Sequence, residues 1–90
     1  MRFDWDTAKS RIAKQRHNVS LEEAQEIFEQ VYIVDRRRDD PEQFRAIGWS
    51  QGRLCSVIFE VRNDFDGEYY HLVTAWTATK QEEDDYAENT

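Results

Sequence analysis

The chain is poor in the residues that cross-link or punctuate a fold. Its one cysteine, Cys55, leaves no internal disulfide to form, and its place inside an apolar run reads as core packing. One proline and three glycines leave no linker-like stretch, so 90 residues read as one domain, 1–90. No apolar run approaches the roughly 20 residues of a membrane span. The start, Met1-Arg2-Phe3-Asp4-Trp5-Asp6, is acidic and aromatic where a signal peptide is basic and then apolar. A cytoplasmic protein without membrane association is therefore expected. The only histidines are His17 and His71, too few for a dedicated metal site, and Walker, GxGxxG, CxxC and HExxH motifs are all missing. No metal and no cofactor is expected.

Positive charge is also in deficit, with a formal net charge of -7, which argues against a nucleic-acid binder. The distribution tempers this. Residues 1–17 carry five basic and two acidic groups; residues 36–62 carry six and four. The last fourteen residues set Lys80 against Glu82, Glu83, Asp84, Asp85 and Glu88, so the acid is concentrated in a tail expected to fray from about residue 87.

What is present in quantity is aromatic: three Trp, four Tyr and five Phe, enough for a compact core. Asp6 can cap a helix over about Thr7–His17 whose apolar side is Ala8, Ile12 and Ala13, with Asn18 as its left-handed stop. Ser20-Leu21-Glu22-Glu23 is a capping box, and the helix after it aligns Leu21, Ala24, Ile27, Phe28 and Val31. From Tyr32-Ile33-Val34 the pattern is β-branched and aromatic. Turn signals at Asp39-Asp40-Pro41, Ser50-Gln51-Gly52 and Asn63–Gly67 separate further strands over Gln43–Trp49, Leu54–Val61 and Tyr69–Trp76. Thr79-Lys80-Gln81-Glu82 is a second capping box opening a short C-terminal helix. Short connections imply an antiparallel meander. The expected fold is α+β: two N-terminal helices, a four-stranded antiparallel meander and a short C-terminal helix.

Without a metal or cofactor motif, chemistry falls to single side chains. His17 ends a basic helix beside Arg16, where the helix dipole stabilises a cation; it can equally serve as a general acid or base. Arg36-Arg37-Arg38 lies between Asp35 and Asp39-Asp40, either self-neutralised or, with Arg36 and Arg38 on one face, a grip for phosphates. Arg45, Arg53 and Arg62 lie in or beside the sheet and would make an anion site if they converged. His71 reads as a packing or edge residue within a strand. Trp76, at the end of the last strand, is the aromatic best placed to stack a base.

The order of specific residues then resembles a known family. Phe3-Asp4-Trp5-Asp6, Lys9, Arg16-His17-Asn18-Val19-Ser20-Leu21-Glu22-Glu23-Ala24 and Phe28 are similar to the opening of the BrnT family, F-x-W-D-x-x-K, a basic-His pair, V-S-F-E-E-A and a Phe. Arg45-Ala46-Ile47-Gly48 resembles its R-x-x-x-G strand, and Leu54–Val61 its apolar strand. Thr74-Ala75-Trp76-Thr77-Ala78-Thr79 with Glu82 and Tyr86 resembles its S-A-R-x-A-T-x-x-E-x-x-x-Y ending. The resemblance implies a RelE-like fold and a type II toxin that arrests translation as a metal-independent endoribonuclease. It implies a BrnA-like ribbon-helix-helix antitoxin as partner, RNA as substrate, and operator DNA reached only through the antitoxin. For that chemistry the expected roles on this chain are proton transfer by His17 and phosphate contacts by Arg16, Arg45, Arg53 and Arg62, supported by Lys9, with Arg36 and Arg38 as candidate RNA contacts. Trp76 stands where the family has Arg and would stack a base, Arg16 replaces a Lys, and Ala13 replaces an Asn. The lost Arg and the acidic balance support an alternative: a BrnT-like binding module that keeps its antitoxin and has lost cleavage.

Overall fold

The computed structural model describes all 90 residues. The elements are β1 (Arg2–Trp5), α1 (Thr7–His17), α2 (Leu21–Ala24) running into a 3₁₀ segment (Gln25–Glu29), β2 (Ile33–Asp39), β3 (Glu42–Ser50), β4 (Arg53–Asp64), β5 (Gly67–Thr77) and α3 (Lys80–Glu88). The strands form a single sheet in the order β1-β5-β4-β3-β2. The class is α+β, and β2 to β5 make the expected antiparallel meander. The expected four-stranded sheet is corrected by β1, which pairs parallel with β5 and makes the sheet five-stranded and mixed. A parallel pair needs a long crossover, so the partner of β1 lies too far along the chain for any local signal.

The helix ends follow from local chemistry. The Asp6 carboxylate accepts from the Ala8 and Lys9 N–H groups at 2.8 and 3.2 Å. Asn18 closes α1 at φ 65, where an Asn tolerates the left-handed region. Both capping boxes form: Ser20 with Glu23, and Thr79 with Glu82. The buried positions of α1 are Ser10 and Ala13, and Ile12 is half exposed, so the expected Ala8–Ile12–Ala13 face is displaced. Ser10 is drawn inward because its hydroxyl accepts from the Leu21 N–H at 2.9 Å, tying α1 to α2. The second helix is also shorter than its apolar stripe. It tightens to 3₁₀ after Ala24, and Val31 swings out to 65% exposure instead of continuing the stripe.

Alternation divides the sheet into two faces. One carries Ala46, Cys55, Val57, Phe59, Leu72 and Ala75 against Val19, Leu21, Ala24 and Ile27 of the helical layer. Phe28 is the aromatic centre of that layer, within 5.1–5.4 Å of the rings of Phe3, Tyr32, Phe59 and Tyr70. Gly48 lets the 3₁₀ segment approach. A Cβ there would meet Ile27 Cγ2 at 2.9 Å and Tyr32 Cβ at 3.1 Å. Gly48→Ala is expected to destabilise by about 1–3 kcal/mol. A lower urea midpoint at unchanged slope would record it, and an unmoved midpoint would mean the 3₁₀ segment yields without strain. The other face carries Arg45, Ile47, Ser56, Glu60 and His71 by register, and α3 covers its β3 side.

Candidate active site

The side chains expected to act together lie in separate places. At the first, the C-terminus of α1 meets the sheet. An Arg53 Nη donates to the Asn18 carbonyl, and the Thr77 hydroxyl donates to the His17 carbonyl at 3.3 Å. Arg53 thus binds a helix end, where a cation is favoured by the dipole. Arg16 and His17 are exposed beside it, and no carboxylate orients the His17 ring. Lys9 is exposed seven residues before Arg16, about two turns away along α1.

The second place is the seam between β3 and α3. The Arg45 guanidinium donates to both Asp35 oxygens, at 3.0 and 2.5 Å, and to Glu82 Oε2 at 3.3 Å. Glu82 is only 3% exposed. Its Oε1 accepts from the Trp76 indole at 2.9 Å and from the Thr79 N–H at 2.9 Å. Burial pushes the Glu82 carboxyl up, but the Thr79 N–H and the Trp76 indole, with Arg45 behind them, hold it below its ordinary value. Trp76 thus has its indole committed to α3, and Arg45 is shared between Asp35 of β2 and Glu82 of α3. Beside them Ile33, Val34, Asp35, Arg45, Asp85 and Asn89 line a cleft of about 500 Å³.

The arginine run on β2 does not form the expected grip. A bulge at Arg37 pairs Arg36 with Phe44 and Arg38 with Gln43, adjacent positions of β3, so the two side chains leave opposite faces. Arg36 is held by Glu42 at 3.1 Å. Arg62 is nine residues along β4 from Arg53, about 30 Å at strand rise, too far to share a phosphate.

The third place was missed by sequence reasoning. His71 Nδ1 lies 2.6 Å from Asp4 Oδ1, its register partner on β1. On the other side His71 pairs with Glu60 of β4. Glu60 accepts from Gln43 Nε2 at 2.7 Å and from Arg62 at 2.6 and 3.1 Å. Gln43 and Arg62 hold its carboxyl below the ordinary value against some desolvation. This part of the face lies beyond α3 and adjoins a cleft of about 300 Å³ lined by Arg2, Phe3, Asp4, Asp64 and Tyr69. The only advance signal was period-2 spacing, Glu60 with Arg62 and Tyr69 with His71; the Asp4 contact spans 67 residues. No three His, Cys, Asp or Glu side chains stand close enough together to hold a metal ion. No helix is long and apolar enough to cross a membrane.

A comparison with family models matches residues 5–82 to the family described as ribonuclease toxin, BrnT, of type II toxin-antitoxin system. No curated protein matches the chain.

Proposed function

The chain belongs to the BrnT family of ribonuclease toxins of type II toxin–antitoxin systems, and from that premise we propose that it is a metal-independent endoribonuclease that arrests translation by cutting RNA in the cytoplasm. The match over residues 5–82, most of the chain, carries this reading. The RelE-like description is supported by two N-terminal helical segments laid on an antiparallel meander with a C-terminal helix behind it. Membership implies a protein antitoxin as partner. A BrnA-like ribbon-helix-helix protein fits that place, with any operator contact made through it.

The chemistry asked of the protein is in-line attack by a 2′-OH on the adjacent phosphorus. A base must take the hydroxyl proton, cations must balance the crowded phosphorane, and an acid must protonate the leaving 5′-oxygen. Arg16, Arg53 and His17 supply charge at one end of the sheet, and Arg62 with His71 at the other. A second reading, the binding module without cleavage, is favoured by one arrangement: Arg45 and Trp76 are engaged by Glu82 and Asp35.

The purified chain, freed of antitoxin, is expected to fragment a long single-stranded RNA in excess EDTA. Its RNA affinity should fall steeply with salt, as several phosphate contacts require. Intact RNA after incubation with demonstrably folded protein would exclude the ribonuclease reading. A flat salt dependence would exclude RNA binding through phosphate as well.

A further inference from the structure

The polar face formed by β1, β5 and β4 has a layout that structural stapling leaves unexplained. Asp4 pairs with His71 and Arg62 with Glu60, and His71 and Glu60 are themselves register partners on adjacent strands, so the two pairs stand side by side on one face. Glu60 and His71 are direct antiparallel partners, so their side chains leave the same face about 5 Å apart. Asp4 is acceptor-only when ionised, so the 2.6 Å contact places the proton of that bond on His71 Nδ1. Nε2 is left without a partner in the chain, free to carry an exchangeable proton. Arg62 donates only through Nε and one Nη, which leaves a further Nη for an anion. The groups are partly open, with side-chain exposures of 15% for Glu60, 17% for His71 and 46% for Arg62.

We infer that Glu60 and His71 are the base and the acid of RNA transphosphorylation, with Arg62 on the phosphate and Asp4 positioning the imidazole. The inference rests on the ribonuclease reading above and deepens it. Glu60 takes the proton of the 2′-OH, and the freed 2′-oxygen forms a bond to the adjacent phosphorus. The bond from phosphorus to the 5′-oxygen breaks, and that oxygen takes the Nε2 proton of the His71 imidazolium. The products are a 2′,3′-cyclic phosphate and a 5′-hydroxyl, with Glu60 protonated and His71 neutral. Two side chains one strand spacing apart can address the attacking and the leaving oxygen of one phosphorane, whereas His17 has no carboxylate within reach to pair with.

The charged groups facing His71 are Asp4 on β1 and Glu60 and Arg62 on β4. A reaction that needs one group as base and another as acid should show a bell-shaped pH profile, and Glu60→Gln should remove its acid limb. The parent, Glu60→Gln, His71→Gln and His17→Ala are to be compared on a short RNA in EDTA, with circular dichroism as the check on folding. Glu60→Gln and His71→Gln are each expected to slow cleavage about 10²–10⁴-fold. The deciding substrate carries sulfur in place of the leaving 5′-oxygen, because a thiolate leaves without an acid. On it His71→Gln should recover to within about tenfold of the parent while Glu60→Gln stays slow. Equal defects of His71→Gln on both substrates would reduce His71 to a structural residue and overturn the assignment. So would parent-like cleavage by either variant, or loss confined to His17→Ala. If the parent itself cuts neither substrate, the ribonuclease reading fails first and takes this assignment with it.

Discussion

Glu82→Ala is expected to cost about 2–4 kcal/mol of stability, the penalty for leaving two enclosed donors unsatisfied and a helix cap half made. The carboxylate is almost fully enclosed and accepts from three groups: the Trp76 indole and the Thr79 N–H, which bond to no other acceptor, and the Arg45 guanidinium, which also holds Asp35. Removing it strands the indole and the Thr79 N–H in a dry seam, leaves Arg45 to Asp35 alone and deletes half of the capping box that starts α3. Glu82→Gln should cost less, because its carbonyl still accepts from the indole and the Thr79 N–H, although its amide then faces Arg45. Urea unfolding at neutral pH would measure both. A cost below about 1 kcal/mol for the alanine variant would mean the seam is wet and the donors find water.

The same carboxylate predicts a pH dependence with a definite sign. Its folded pKa lies below the reference value of 4.5. The stabilisation is therefore fully present above that value and is lost as pH falls through the lower folded value. Glu23, Glu60 and Asp64 are depressed as well, so the parent as a whole should weaken in acid. Glu82→Gln removes one of these contributions. The gap between parent and variant should accordingly narrow below about pH 4.

What could be read in advance was local. Asp6, Ser20–Glu23 and Thr79–Glu82 announced three helix starts because a cap is satisfied within three residues of itself. The meander was legible for a similar reason: short connections admit few pairings. Long-range partners were the failures. The alternation Phe3-Asp4-Trp5 had no visible β5 to pair with, and so β1 went unseen. Val31 continued a helical stripe on paper, but Tyr32 takes the place beneath Phe28 and the close approach at Gly48 ends the helical layer early. Arg36 and Arg38 were parted by a bulge that no residue in the run announces. Arg45 and Trp76 read as free in a list of cations and aromatics; the β2–β3 register brings Asp35 to Arg45, and the seam with α3 brings Glu82 to both. His17 drew notice because its neighbours in sequence are basic. His71, whose neighbours in space are Asp4 and Glu60, looked like an ordinary strand residue.

Phe28→Ala is expected to remove about 3 kcal/mol or more, toward the lower end of the range for a core aromatic because the ring is only partly enclosed. Its effect should not be spread evenly. The ring sits 5.2 Å from Phe3 on β1 and 5.4 Å from Tyr70 on β5, so it clamps the parallel edge pair from above. Phe3 and Tyr70 are also register partners, and Asp4 and His71 are the next pair along. Beyond its pairing with β5, this four-residue edge strand is held by Trp5, by the Asp4–His71 contact and by Arg2, whose ion pair with Asp64 is surface-exposed and worth little. Loss of the clamp should therefore free β1 before the rest of the sheet. Hydrogen exchange at the β1 amides should accelerate more than at those of β3 and β4. With Asp4 released, His71 loses the partner that fixes its tautomer, and RNA cleavage should fall even where the variant is still folded. Uniform loss of protection across all five strands would mean that Phe28 supports the core as a whole. The placement of Asp4 would then have to be credited to β1–β5 pairing alone.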